Sequence, residues 1–131
     1  MTISKELVKF GIPSEEERYG YAQAVKVSDT IYVSGQTASG DASASGPDDM
    51  ETQMRTAYAK IARALEQFDA TLANVVDETL FVSDLVAAAT VARDVRREVY
   101  GGTPEVASTL IHVAPWPTAA IQIEIKCVAR V

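Results

Sequence analysis

One cysteine, one histidine and one tryptophan are all that this 131-residue chain has of each. A single Cys127 excludes an internal disulfide and fits a reducing cytoplasm. A single His112 excludes a multi-histidine metal site. Basic residues are also short, 12 Lys and Arg against 18 Asp and Glu, giving a net charge of -6. Nucleic-acid surfaces need clustered cations, so that partner class is not expected. No apolar run is long enough to cross a membrane, and the start, MTISKELVKFG, lacks the apolar core of a signal peptide. A cytoplasmic location is expected. No phosphate loop, dinucleotide fingerprint or Ser-His-Asp order occurs. No cofactor and no metal are implied.

What is present is the material of one globular domain, residues 1–131. Apolar residues make up 47% of the chain, enough for a core. Residues 19–27 and 30–36 read as strands rich in Tyr, Val and Ile, joined at Ser28-Asp29 as a hairpin. Residues 37–47 (TASGDASASGP) read as an exposed loop. Asp48 or Asp49 caps a helix in which Met54, Ala57, Ile61, Leu65 and Phe68 form one apolar face. Residues 75–83 read as a strand. Asp84 caps a second helix with a buried stripe of Leu85, Ala88, Ala92, Val95 and Val99, stopped by Gly101-Gly102. Residues 106–113 and 119–129 read as strands joined by Ala114-Pro115-Trp116-Pro117-Thr118.

The order is β-β-α-β-α-β-β, an α+β domain. Right-handed crossovers put both helices on one face of a single mixed sheet. The other face keeps apolar residues and no cover, so self-association is expected. In the last strand Ile121, Ile123, Ile125 and Cys127 point one way, toward the helices. Gln122, Glu124 and Lys126 point the other. That alternation by itself describes an ordinary half-solvated strand. His112 reads as structural and Cys127 as a small core residue.

Three segments carry a more specific signal: Tyr21-Ala22-Gln23-Ala24-Val25 with Ile31-Tyr32-Val33-Ser34-Gly35-Gln36, then VVDETLFVSDL (75–85), then Pro104 through Ala107-Ser108-Thr109 to Ile121-Gln122-Ile123-Glu124. Their order and spacing resemble the RidA (YjgF) family of enamine/imine deaminases, whose fold is also described as chorismate-mutase-like. The resemblance implies a homotrimer with sheets facing inward and a small-molecule cleft at each subunit boundary. It places Tyr21, Ser34, Gly35 and Ala107 at that cleft as substrate-binding positions; Trp116, a rigid loop tip between two prolines, reads either as a border of the cleft or as packing on a neighbouring subunit. The resemblance also places Thr109 beside the substrate clamp, where its backbone helps hold a water. The family was once labelled endoribonuclease, a label the charge of this chain does not support.

Two positions depart from the family pattern. Ala107 stands where the resemblance puts the arginine that clamps a substrate carboxylate. Gln122 stands where it puts the water-activating glutamate. Glutamine orients a water but cannot take its proton near neutral pH. Glu124, on the same face, is the alternative base or else a partner in an ion pair with Lys126 or a neighbouring subunit. Arg93, Arg96, Arg97 and Arg130 are the candidates to replace the clamp, with Arg96 and Arg97 expected on the solvent side of the second helix. The readings that follow are an imine or enamine hydrolase with an atypical substrate, a non-catalytic trimer that keeps its clefts for a small molecule or a partner protein, or a different hydrolytic or cyclising reaction. With Ala107 and Gln122 in place of charged groups, the pocket is expected to suit a neutral or mostly apolar ligand.

Overall fold

The computed structural model describes residues 2–8, 15–39, 49–117 and 120–131. Asp48, most of the 37–47 loop, Thr118 and the expected start of the last strand at 119 lie outside these. The elements are β1 (Glu6–Val8), α1 (Glu15–Tyr19), β2 (Ala24–Val27), β3 (Thr30–Gln36), α2 (Met50–Glu66), β4 (Val75–Val82), α3 (Leu85–Val99), β5 (Ala107–His112) and β6 (Ile123–Arg130). A 3-10 turn, Leu72–Asn74, leads into β4.

The strands form one six-stranded sheet in the order β1-β2-β3-β6-β4-β5. Only β4 and β5 pair in parallel; the other neighbours are antiparallel. The fold is thus α+β with a mixed sheet, as the pattern predicts. Two elements were not foreseen. β1 is a three-residue edge strand held to β2, with Glu6 near Lys26 at 3.7 Å. α1 takes Tyr19 out of the expected first strand, which starts only at Ala24. Both are too short to show a hydrophobic period.

The helices begin where carboxylates meet unpaired backbone N–H groups. Asp49 accepts from the Thr52 N–H at 2.8 Å, and Asp84 from the Ala87 N–H at 3.0 Å. α3 ends as Gly101 takes φ 79° and Gly102 donates its N–H to the Arg97 carbonyl at 2.7 Å. α2 packs over β3 and β6, and α3 lies beside it against β5. Between helices and sheet, Met54, Ala57, Ile61, Leu65, Ala88 and Val95 meet Ile31, Val33, Leu80, Val82, Ile123, Ile125 and Cys127. Each such large side chain contributes roughly 1.5–3 kcal/mol by leaving water. Among the described residues no helix is long and apolar enough to cross a membrane.

Among the described residues, α2 and α3 both leave the opposite face of the sheet free. Pairing registers define its rungs. One rung runs Ala107, Asp77, Val128, Tyr32, Val25; the next is Thr109, Thr79, Lys126; the third is Ile111, Phe81, Glu124. Tyr32 is 52% exposed and Ile111 39%, so large apolar groups face outward here.

Candidate functional site

The third rung ends beside a bulge. Pairing of β3 with β6 shifts by one residue between Val33 and Gln36, so Ser34 and Gly35 together take the place opposite Lys126. A bulge of this kind re-aims the chain at a sheet end. Ser34 donates its hydroxyl to the Ala22 carbonyl at 2.6 Å, which ties the segment following Tyr21 to the bulge. The Gln36 amide donates to Gln23 Oε1 at 2.6 Å on the buried side.

Glu124 lies across this bulge. A methyl group added at Gly35 would come within 2.7 Å of the Glu124 carboxyl carbon and 2.9 Å of its Cγ. Gly35 is therefore required less for a bend than for the close approach of the Glu124 side chain. That carboxylate makes no hydrogen bond or ion pair with any described residue, Lys126 included. The expected Glu124–Lys126 ion pair does not form, because Lys126 belongs to the neighbouring rung. Glu124 instead lines a cavity of about 430 Å³ with Phe81, Val113, Ala114, Pro115, Trp116 and Pro117. Trp116, half-buried between its two prolines, forms a wall of this cavity.

Gln122 sits differently. It precedes β6, and its backbone N–H donates to Gln53 Oε1 at 2.9 Å while its carbonyl accepts from the Ser83 N–H at 3.0 Å. Gln53 in turn donates to the Ala120 carbonyl at 2.5 Å. α2 thus fixes the backbone entering β6, and Gln122 lies off the end of the sheet rather than among the residues lining the Glu124 cavity.

Tyr21, Ser34, Gly35, Gln122, Glu124 and Trp116 all gather at one end of the sheet. Ala107 and Thr109 do not. Ala107 is four residues along the strand direction and two strands across from Glu124. At a rise of about 3.3 Å and a strand spacing of about 4.8 Å, that is roughly 16 Å. Thr109 is closer, at roughly 12 Å. No small ligand bound at Glu124 would touch Ala107 of the same chain.

The arginine candidates are also resolved. Arg130 pairs with Asp29 at 2.5 Å, at the β2–β3 turn. Arg93, Arg96 and Arg97 line a separate depression of about 250 Å³ with Pro104, Val106 and Ser108. Ser108 points to the helix side, opposite to Ala107, so none of these three replaces a clamp there. Arg96, expected on the solvent side, turns inward. Its Nε donates to Glu78 at 2.8 Å. Glu78 is fully buried and also accepts from Ser108 Oγ at 2.8 Å, Tyr58 OH at 2.7 Å and Tyr100 OH at 2.6 Å. This cluster binds α2, α3, β4 and β5 together. Burial, then the Glu78 charge, pushes both tyrosine hydroxyls well above their ordinary range. Burial, reinforced by Glu78 and Asp77, pushes the Cys127 thiol up to about 12. His112 is exposed, with Nε2 3.2 Å from the Ser83 carbonyl, and stays out of the cavity. Among the described residues no group of His, Cys, Asp and Glu is placed to hold a metal ion.

A mixed sheet with α2 and α3 packed against it and a glycine bulge under a glutamate define an α+β domain of the YjgF/RidA type. The sequence profile described as Endoribonuclease L-PSP matches residues 14–131. A member of the YjgF/YER057c/UK114 family from Mycobacterium tuberculosis shares 30% identity over 98% of this chain and 100% of its own, with a TM-score of 0.81. The chain belongs to this family. A Rid-family protein of unknown function from Yersinia pestis (23% identity, 98% of this chain and 100% of its own, TM-score 0.78) shares the fold. So does RidA from the Antarctic bacterium Psychrobacter (23% identity, 100% of this chain and 99% of its own, TM-score 0.75). Among curated proteins no sequence matches significantly.

Proposed function

We propose that this protein is a homotrimeric hydrolase of a reactive enamine or imine, acting at clefts between subunits. The observation that carries the reading is Glu124: a carboxylate with no partner among the described residues, held over Gly35 by a residue that lines a cavity. A carboxylate so placed accepts a proton from water as the water adds to the imine carbon. The resulting carbinolamine takes that proton on nitrogen, its hydroxyl gives its own proton back to the carboxylate as the C–N bond breaks, and a carbonyl compound and an amine or ammonia leave. An imine is already electrophilic, so general-base help of about 10²–10⁴-fold is what the protein must add. The base assigned here is Glu124 rather than Gln122, whose side chain cannot accept the proton and whose backbone is committed to Gln53 and Ser83.

The inter-subunit location is supported by the separation of roughly 16 Å between Glu124 and Ala107 in one chain. Both lie on the helix-free face, whose row of Val25, Tyr32 and Val128 needs an apolar cover. Three copies packed by these faces would bring the β5 edge of one chain to the Glu124 end of the next. Ala107 supports a second reading. Without a cation at that position, the trimer keeps a cleft that binds a small molecule or a partner protein without turning it over.

Ammonia release from imines generated in the assay decides between them. Hydrolysis that falls at least a hundredfold in Glu124→Gln, with the trimer intact by sedimentation, supports the hydrolase. Hydrolysis indifferent to Glu124→Gln, or none from any imine offered, removes it and leaves the binding trimer.

A further inference from the structure

The cavity at Glu124 is distinct from the neutral pocket expected around Ala107 and Gln122, since neither residue lines it. Among the described residues its lining is Phe81, Val113, Ala114, Pro115, Trp116, Pro117 and Glu124. Among the described residues it holds one charged group, and that group is negative. Lys126, on the adjacent rung of the same face, is exposed, makes no ion pair with Glu124 and does not line the cavity. A half-buried carboxylate without a partner is costly unless something positive completes it. Trp116 and Phe81 add aromatic walls of the kind that attract cations. The chain as a whole, at -6, favours cation approach over anion approach.

We infer that this pocket selects a cation: a protonated imine bearing an apolar or aromatic substituent and no carboxylate. The inference rests on the hydrolase reading for its choice of an imine, but the charge preference rests on Glu124 and the aromatic lining. The iminium nitrogen sits against Glu124 and the substituent against Trp116 and Phe81. Protonation makes the imine carbon more electrophilic, so the charge that gives binding also activates the substrate. A carboxylate on the substrate would meet Glu124 with like charge and find alanine, not arginine, at position 107 of the adjoining copy. With water, the iminium gives a carbonyl compound and a protonated amine, so charge and atoms balance without any co-reactant.

The test uses three probes of similar shape, benzylammonium, benzamide and phenylacetate, titrated calorimetrically into the intact protein. Benzylammonium is expected to bind at least tenfold more tightly than benzamide, with phenylacetate weakest. Glu124→Gln should erase the preference for the cation. Trp116→Ala should weaken all aromatic probes about tenfold while keeping their order. Phenylacetate binding as well as benzylammonium would overturn the inference, as would a cation preference that survives Glu124→Gln. Glu124-dependent binding of benzylammonium without hydrolysis of any imine sinks the hydrolase reading and leaves the selectivity standing. Hydrolysis that is fastest for carboxylate-bearing imines does the reverse.

Discussion

The side chain of Glu124 occupies the space that a side chain at Gly35 would need. The two residues are 89 positions apart in the sequence, and each explains the other. Gly35 clears a shelf on β3, and the Glu124 carboxyl group rests on it. The clash that alanine would create at position 35 falls on the end of a flexible side chain, which can swing aside. Gly35→Ala should therefore cost little stability, under about 1 kcal/mol, a scale set by ordinary surface changes. It should still lower activity at least tenfold, because the base is displaced. Melting temperature and turnover measured on the same preparation check this; a parallel loss of both would contradict it.

The helix-free face predicts assembly. Analytical ultracentrifugation should give a trimer at micromolar concentration. Tyr32, centred on the apolar row, is the residue to disrupt. Tyr32→Glu should yield folded monomer by sedimentation and circular dichroism. A wild-type chain that sediments as a compact monomer at all concentrations would sink the expectation.

Glu78 makes a strong prediction about stability. Its carboxylate is fully buried and takes four hydrogen bonds, one of them from Arg96. Removing the cation leaves a buried charge short of compensation. Arg96→Met should cost about 3–5 kcal/mol, the range for breaking a buried pair from one side. Tyr100→Phe should cost about 1.5–3 kcal/mol. Urea unfolding midpoints at unchanged slope measure both. Replacing the exposed Arg97 should be nearly silent.

Alkaline pH should destabilise the fold through the same region. An unfolded Cys127 thiol ionises near its ordinary value of 9.0, whereas the native one holds its proton to about 12. Between these values the unfolded chain releases a proton that the native chain keeps, so stability falls as pH rises. Tyr58 and Tyr100, shifted in the same direction, add to the loss. Thiol titration at pH 8 should find Cys127 unreactive in the native protein and fully reactive in denaturant.

Ala107 sets the last expectation. Turnover of 2-aminoacrylate, the small carboxylate-bearing substrate that the family resemblance implies, should be weak, and Ala107→Arg should raise it about tenfold or more through a charge-assisted contact. Steady-state rates of the two proteins decide this. A wild-type rate that Ala107→Arg leaves unchanged would show that position 107 does not meet the substrate.

Much of this was legible in the sequence because periodicity reports faces. Alternation from Ile123 to Cys127 told which side chains meet the helices, and Asp49 and Asp84 marked the helix starts. The same alternation puts Gln122 and Glu124 on one side without saying how far along the sheet each acts. That depends on Gln53, 69 residues away from Gln122, which pins the backbone before β6. Arg96 was misplaced for a similar reason. A helical period puts it near the margin of the apolar stripe, and only the buried Glu78 on β4 pulls it inward. β1 and α1 left no trace because three and five residues are too few to display a period.

The distance between Ala107 and Glu124 has a genetic consequence. If a working cleft takes its two walls from different chains, no single chain owns an active centre. Two alleles, one damaged at Glu124 and the other blocked by Ala107→Trp, would each assemble into inert rings. Expressed together, they would form mixed rings, each with a junction at which the two undamaged walls meet. Two broken genes would then restore part of one activity.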